Sequence, residues 1–239
     1  MAAAAVAVLA AVSGAEAKDW SKVRIGTEGA YPPFNSLTAD GQLVGFDIDI
    51  AKALCEEMKV ECEFVTQDWD GMIPALQAGK FDAVIASMSI TEERKEKVDF
   101  TNKYYNTPPA IAVPKDSKLT GTSDEDLKGV ALGAQSSTTH SNYAEEKLPS
   151  ADLKLYPTPD EYKLDIASGR IDAVIDDVVV LSDWLATDDG ACCKILGTLT
   201  PDPVINGEGA GIAIRKDDTD LKEMFNEAIA AILASGKYK

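Results

Sequence analysis

Ala78-Gly79-Lys80-Phe81-Asp82-Ala83-Val84-Ile85 and Ser168-Gly169-Arg170-Ile171-Asp172-Ala173-Val174-Ile175 are one phrase written twice, alike in identity or type at eight consecutive positions. In each copy a helical stretch ends at glycine, a frequent helix terminator. A charged turn follows, then an apolar, β-branched run that reads as a strand. One copy alone would be an ordinary helix–strand connection. Two copies of this length predict two similar α/β lobes, with strands alternating with helices.

Outward from the first copy, Lys22–Gly26 reads as a short strand, and Leu43–Phe46 is a further apolar run. Asp47–Leu54 has helical spacing, with Asp47 placed to cap its start. Glu63–Thr66 is expected as a strand, and Asp70–Ala78 as a helix with Pro74 in its first turn. Around the second copy, Val130–Gly133 reads as a strand. It leads through Gln135-Ser136-Ser137-Thr138-Thr139-His140 into a helical stretch near Asn142-Tyr143-Ala144. Val178–Leu185 is expected as a helix with Asp177 at its N-cap.

Composition removes whole classes of function. The chain of 239 residues carries 23 Lys and Arg against 40 Asp and Glu, a formal charge of −17, which repels phosphate backbones and argues against nucleic-acid binding. Apolar residues reach 45%, ample for a core. His140 is the only histidine, which removes His-based metal and catalytic clusters. No nucleophile elbow, phosphate-binding glycine loop or zinc motif is present. No cofactor, metal or catalytic residue is therefore expected, and the chain reads as a binder rather than an enzyme.

Residues 1–17, an apolar run closed by Ala15-Glu16-Ala17, read as the remnant of a signal peptide with an A-x-A cleavage pattern. That places the mature protein in an exported, oxidising compartment. Cysteine usage agrees. A Cys55–Cys62 bridge would pin a helix end to the next strand, the alternative being two free buried thiols. Cys192 and Cys193 are adjacent, and could be free, bridged to each other or paired between molecules.

In open α/β sheets ligands gather beyond the carboxyl ends of the strands. After the first repeated strand come Ala86-Ser87-Met88-Ser89, Thr91 and Arg94; after the second come Asp176 and Asp177. One lobe thus offers hydroxyls and a guanidinium, the other carboxylates. Across a cleft these suit a zwitterion, with Arg94 on a carboxylate and Asp177 on an ammonium. The Ser/Thr-rich turn before Asn142 offers helix N-terminal N–H groups as a further anion site, or a plain N-cap.

Three stretches carry a family resemblance: Ile25-Gly26-Thr27-Glu28-Gly29-Ala30-Tyr31-Pro32-Pro33-Phe34, Leu43-Val44-Gly45-Phe46-Asp47-Ile48-Asp49, and Ala86-Ser87-Met88-Ser89-Ile90-Thr91-Glu92-Glu93-Arg94. Gly169–Ala173 and Ile214–Asp217 extend it. The sequence resembles the periplasmic amino-acid-binding proteins of ABC importers, in the branch for lysine, arginine, ornithine and histidine. The resemblance implies a two-lobed periplasmic-binding-protein fold of type II, with mixed sheets flanked by helices. It implies a signal-peptide remnant at 1–17, a discontinuous first lobe at 18–106 plus 206–239, and a second lobe at 107–205. Two hinge crossings are expected near Tyr105–Pro109 and Pro203–Gly207.

Site roles follow from the same resemblance. Arg94 would grip the α-carboxylate with Ser89 and Thr139, and Asp177 the α-ammonium with Ser87. Tyr31 and Trp69 would sandwich the aliphatic stem, and Glu28 would meet the distal cation with His140 near that end. Met88 and Gln135 complete the expected ligand set, and Cys55–Cys62 sits where this branch carries its disulfide. The implied partners are a cationic amino acid and the transmembrane subunits of an ABC permease, with the protein a periplasmic monomer. Departures concern the side-chain end: Glu28 is longer than the expected aspartate, Ala86 replaces a serine, and Asp176 and His140 replace amides. Thr27-Glu28-Gly29 and Trp69-Asp70-Gly71 also resemble opine-binding relatives, so an opine is an alternative ligand. A periplasmic dehydratase of the cyclohexadienyl type is the enzymatic alternative. Family members usually continue beyond Ser235-Gly236-Lys237-Tyr238-Lys239, so their last helix is expected to be either absent here or outside this sequence.

Overall fold

The structure, a computed structural model, describes residues 18–239; the expected leader at 1–17 lies outside them. In chain order the first part contains β1 (Lys22–Thr27), β2 (Ala30–Tyr31), β3 (Asn35–Leu37), β4 (Leu43–Val44), α1 (Phe46–Met58) and β5 (Glu61–Thr66). Next come α2 (Met72–Gln77), β6 (Ala83–Val84), α3 (Glu92–Lys95) and β7 (Asp99–Phe100). The chain then crosses to β8 (Pro109–Pro114), β9 (Ala131–Gln135), α4 (Thr139–Lys147), β10 (Asp152–Tyr156), α5 (Pro159–Ala167), β11 (Ala173–Asp177), α6 (Val178–Leu185) and β12 (Cys193–Thr198). It returns for β13 (Ala213–Ile214) and α7 (Thr219–Ser235).

Two five-stranded sheets result, with orders β5-β1-β6-β13-β7 and β10-β9-β11-β8-β12. They are built alike. In the first, β1 lies parallel between β5 and β6, and β13 joins antiparallel. In the second, β9 lies parallel between β10 and β11, and β8 joins antiparallel.

The repeated phrase explains the likeness atom by atom. Asp82 Oδ2 accepts the Arg24 N–H of β1 at 3.0 Å, and Asp172 Oδ2 accepts the Ala131 N–H of β9 at 2.9 Å. The Asp82 and Asp172 N–H groups donate back to the Arg24 and Ala131 carbonyls at 2.8 and 2.9 Å. Gly79 and Gly169 both take φ +73°, a left-handed turn after α2 and α5 that suits glycine. A Cβ on Gly26 would lie 2.7 Å from the Phe81 ring, and one on Gly133 would lie 2.6 Å from Ile171 Cδ1. The large residue of each phrase therefore packs where the central strand carries glycine.

Each sheet is covered on both faces, which explains the near-continuous burial of its middle strands. On the first, Val23, Ile25 and Ile85 pack with Leu54, Phe225 and Ile229 of α1 and α7. The opposite face holds Met72, Leu76, Phe81, Val84 and Phe100. On the second, Ile111, Val113, Leu132 and Ile175 pack with Ala144 of α4, and Ala110, Ala112 and Val174 pack with Tyr162, Ile166, Leu181 and Trp184.

The chain passes between the sheets twice, between β7 and β8 and between β12 and β13. These crossings are hydrogen-bonded to each other: Ala210 N–H donates to Tyr105 O and Tyr104 N–H to Ala210 O, both at 2.9 Å. Cys55 and Cys62 are bridged, joining the end of α1 to β5, and Cys192 is bridged to Cys193. Among the described residues, no helix is long and apolar enough to cross a membrane.

Two local expectations are corrected. The helix expected at Asp70–Ala78 is a 3-10 turn at Trp69–Gly71 followed by α2, with Pro74 still in the first turn of α2. Asp47 does not cap α1. Gly45 occupies the N-cap with no side-chain bond, and Asp47 lies inside the helix, fully buried. Its carboxylate instead accepts from Asn35 Nδ2 (2.9 Å), Ser87 Oγ (2.9 Å) and Tyr104 Oη (2.7 Å).

Candidate functional site

The segments that leave the repeated strands meet between the two sheets. From the first lobe, the residues after β6 turn sharply, with Ser87 at φ +56°. Its hydroxyl donates to Asp47, whose carboxyl is pushed up by burial and is opposed by the three donors named above. Thr91 caps α3, accepting from the Arg94 N–H at 3.3 Å, and so sets the start of the short helix that carries Arg94.

The Arg94 guanidinium donates from Nη1 to Ser89 O at 3.0 Å and from Nη2 to Ser137 O at 3.3 Å. Its Cζ lies 5.3 Å from the Trp69 ring centroid, a cation–π contact. Guanidinium carries five N–H donors. Two are used, which leaves three for an anion. Among the described residues no carboxylate lies at ion-pair distance from Arg94; the surface pairing open to it on α3 is taken by Lys95 with Glu92. Burial pushes the Arg94 pKa down to about 10, against the opposing charge of Glu93. A part-buried cation short of a counter-ion is a receptor for a carboxylate.

The second lobe brings the opposite charge. Asp177 caps α6, accepting from Val179 N–H at 2.7 Å, and also accepts from the Thr107 hydroxyl of the first crossing. Burial pushes its carboxyl pKa up; Thr107 and the charge of His140 counter this. Its neighbour Asp176, 3% exposed, accepts from Tyr31 Oη across the cleft at 2.5 Å and from Tyr162 Oη. It also accepts the Asp177 N–H at 2.7 Å, and His140 Nδ1 lies 3.2 Å away. The Ser/Thr turn is a true cap: Thr138 accepts from Ser141 N–H at 3.1 Å and Ser141 Oγ accepts from Thr138 N–H at 3.1 Å. α4 therefore starts at Thr139, three residues earlier than expected, and presents Thr139 and His140 to the cleft.

A hollow of about 340 Å³ lies where these parts converge. Its first-lobe wall holds Glu28, Tyr31, Trp69, Ser87, Ser89 and Arg94. Gln135, Thr139 and His140 face them from the second lobe. Asp177 lines an adjoining hollow of about 500 Å³ toward the crossings, which shares Tyr31, Ser87, Ser89, Thr139 and His140 with the first. Glu28 accepts from Gln135 Nε2 at 2.6 Å, and Gln135 also donates to Pro157 O at 3.0 Å. The Glu28 carboxyl is raised to about 7, first by burial and then by Asp176, Asp68 and Asp160, with Gln135 opposing.

Met88 is placed differently from the rest of the expected set. It is 1% exposed and packs with Met72, Leu76 and Phe81; it lines neither hollow and instead borders the wider groove beside them. Sequence reasoning missed Thr138 in the lining and Thr107 on Asp177. It also missed the Ser137 carbonyl as an acceptor, because a backbone oxygen leaves no mark on residue type.

A family model, "Bacterial extracellular solute-binding proteins, family 3", matches residues 23–239. The chain belongs to this family. An L-arginine-binding protein of Pseudomonas aeruginosa is 49% identical over 220 residues, covering 91% of this chain and 85% of the relative. The histidine-binding periplasmic protein of Salmonella typhimurium is 38% identical, covering 91% and 85%. Among solved structures, an ancestral arginine-binding protein bound to arginine has a TM-score of 0.84 at 39% identity, covering 91% of this chain and 95% of that one. An ancestral amino acid-binding protein described as a precursor of cyclohexadienyl dehydratase has a TM-score of 0.82 at 37% identity, covering 91% and 92%. The two-lobed fold expected from the repeat is that of these structures, and the site lies between the lobes of a family 3 solute-binding protein.

Proposed function

We propose that this solute-binding protein captures a cationic L-amino acid, arginine foremost, and delivers it to the transmembrane subunits of an ABC permease. One observation carries the reading: Arg94, a guanidinium, and Glu28, a part-buried carboxylate, line the same hollow, and among the described residues neither has an ion-pair partner. An amino acid with a cationic tail supplies what each lacks. Arg94, Ser89 and Thr139 take the α-carboxylate, and Asp177 with Ser87 takes the α-ammonium. Tyr31 and Trp69 flank the stem; Glu28, Gln135 and His140 receive the tail. Glu28, Asp176 and Asp177 outnumber the single guanidinium, which favours a ligand of net positive charge. The relatives named for arginine and histidine point the same way.

The lobes are 18–106 with 206–239, and 107–205. Ligand bound to Arg94 on one and Asp177 on the other ties them together and shifts the population to the closed form. A micromolar ligand supplies about 8 kcal/mol, enough to cover an opening preference of a few kcal/mol. The protein acts as a monomeric binder without catalytic residues. A thermal-shift screen of the twenty amino acids with ornithine, octopine and nopaline tests this. Arginine, lysine or ornithine should give the largest rise; an opine giving the largest would move the assignment to that ligand class, and no rise with any would reject it.

A further inference from the structure

The clasp across the cleft mouth has a part that needs no ligand. Trp69 Nε1–H donates to Ser137 O at 3.0 Å, and Arg94 Nη2 donates to the same oxygen at 3.3 Å. Beside them, Ser136 Oγ lies 3.2 Å from both carboxylate oxygens of Asp70. Trp69, Asp70 and Arg94 come from the first lobe, and Ser136 and Ser137 from the turn between β9 and α4 in the second. Ser137 takes φ +57°, a conformation uncommon outside glycine, so the backbone turn itself fixes where its carbonyl lies. Trp69, Arg94 and Thr139 border both the 340 Å³ hollow and a wide groove of about 1830 Å³ beside it, and so form the partition between ligand and groove.

Resting on the capture reading above, we propose that Trp69 is a positioning residue for closure: its indole N–H and Arg94 share the Ser137 carbonyl, latching the partition behind the bound ligand. A flat aromatic ring is enough to flank an aliphatic stem and to face Arg94; of phenylalanine, tyrosine and tryptophan, only tryptophan adds a ring N–H donor at this point. The bond exists only when the lobes meet, so it acts on ligand escape and not on entry.

Trp69→Phe separates the two roles, since phenylalanine keeps the ring and loses the donor. Release and association of tritiated L-arginine are measured by rapid filtration, with urea unfolding as a control. The expected result is an off-rate raised about three- to tenfold, the worth of one hydrogen bond, with the on-rate within about twofold and the urea midpoint unchanged. An unchanged off-rate, or a loss confined to the on-rate, overturns the proposal. In protein labelled with ¹⁵N-tryptophan, the indole signal that disappears in Trp69→Phe should show slowed solvent exchange with arginine bound. Exchange as fast as free indole also overturns it. If the wild type retains no arginine, lysine, ornithine or histidine, the capture reading falls. The latch is then judged with whichever amino acid or opine gives the largest thermal shift bound, so that the lobes are closed: protection of that indole supports it, and solvent-like exchange rejects it.

Discussion

Gln135 Nε2 reaches across the cleft to Glu28 Oε1 at 2.6 Å, so an amide on one lobe holds a carboxylate on the other. The contact opposes the burial that governs how Glu28 responds to protons. Its carboxyl is raised from 4.5 to about 7, chiefly by burial. A raised carboxyl penalises the folded state while ionised. The penalty grows as the pH rises from 4.5 to about 7 and is full above that. Unliganded Glu28→Gln should therefore be more stable than the wild type at pH 8, with the difference vanishing toward pH 4.5 in urea titrations.

A bound guanidinium favours ionised Glu28, so binding should release protons near neutrality. Arginine affinity should be about tenfold weaker at pH 6 than at pH 8. Calorimetry in buffers of different ionisation heat reads both quantities. Glu28→Gln should flatten the dependence and weaken arginine and lysine more than a neutral amino acid; equal loss for both would make Glu28 structural.

Tyr31→Phe removes the hydroxyl that donates to buried Asp176 from the opposite lobe. Tyr162, the Asp177 N–H and His140 remain around that carboxylate, so the protein should still fold. The loss falls on the closed form, and about 1–3 kcal/mol of arginine affinity should disappear. Isothermal calorimetry checks the size, and an unchanged affinity would show that the contact contributes nothing to closure.

Gly26→Ala tests the packing behind the repeat. The new Cβ would sit 2.7 Å from the ring of fully buried Phe81. Overpacking of this kind costs about 1–3 kcal/mol. Urea unfolding should show that loss, and Phe81→Leu in the same chain should return part of it.

Much of the architecture was legible because it rests on local grammar. Gly79 and Gly169 end helices, and Asp82 and Asp172 tie the next strand to its parallel neighbour, β1 in one lobe and β9 in the other, so the phrase had to recur wherever that unit was built. Arg94 and Asp177 were legible as opposed charges beyond strand ends. What escaped reading depended on three dimensions. Asp47 looked like a cap because short acids at helix starts usually are, but Asn35, Ser87 and Tyr104 claim its carboxylate. Met88 shares a segment with Ser87 and Ser89, yet the turn at Ser87 sends it into the apolar layer with Met72 and Leu76. The Ser137 carbonyl has no sequence signature at all.

Titration calorimetry of L-arginine into the wild type and Arg94→Ala, at pH 8, bears most directly on how the ligand is held. The wild type should bind one arginine with micromolar or tighter affinity, and Arg94→Ala should lose more than about 3 kcal/mol because the ligand carboxylate is buried without its cation. Near-equal affinities in the two proteins would contradict the assignment of Arg94 to the ligand and the two-ended grip built on it.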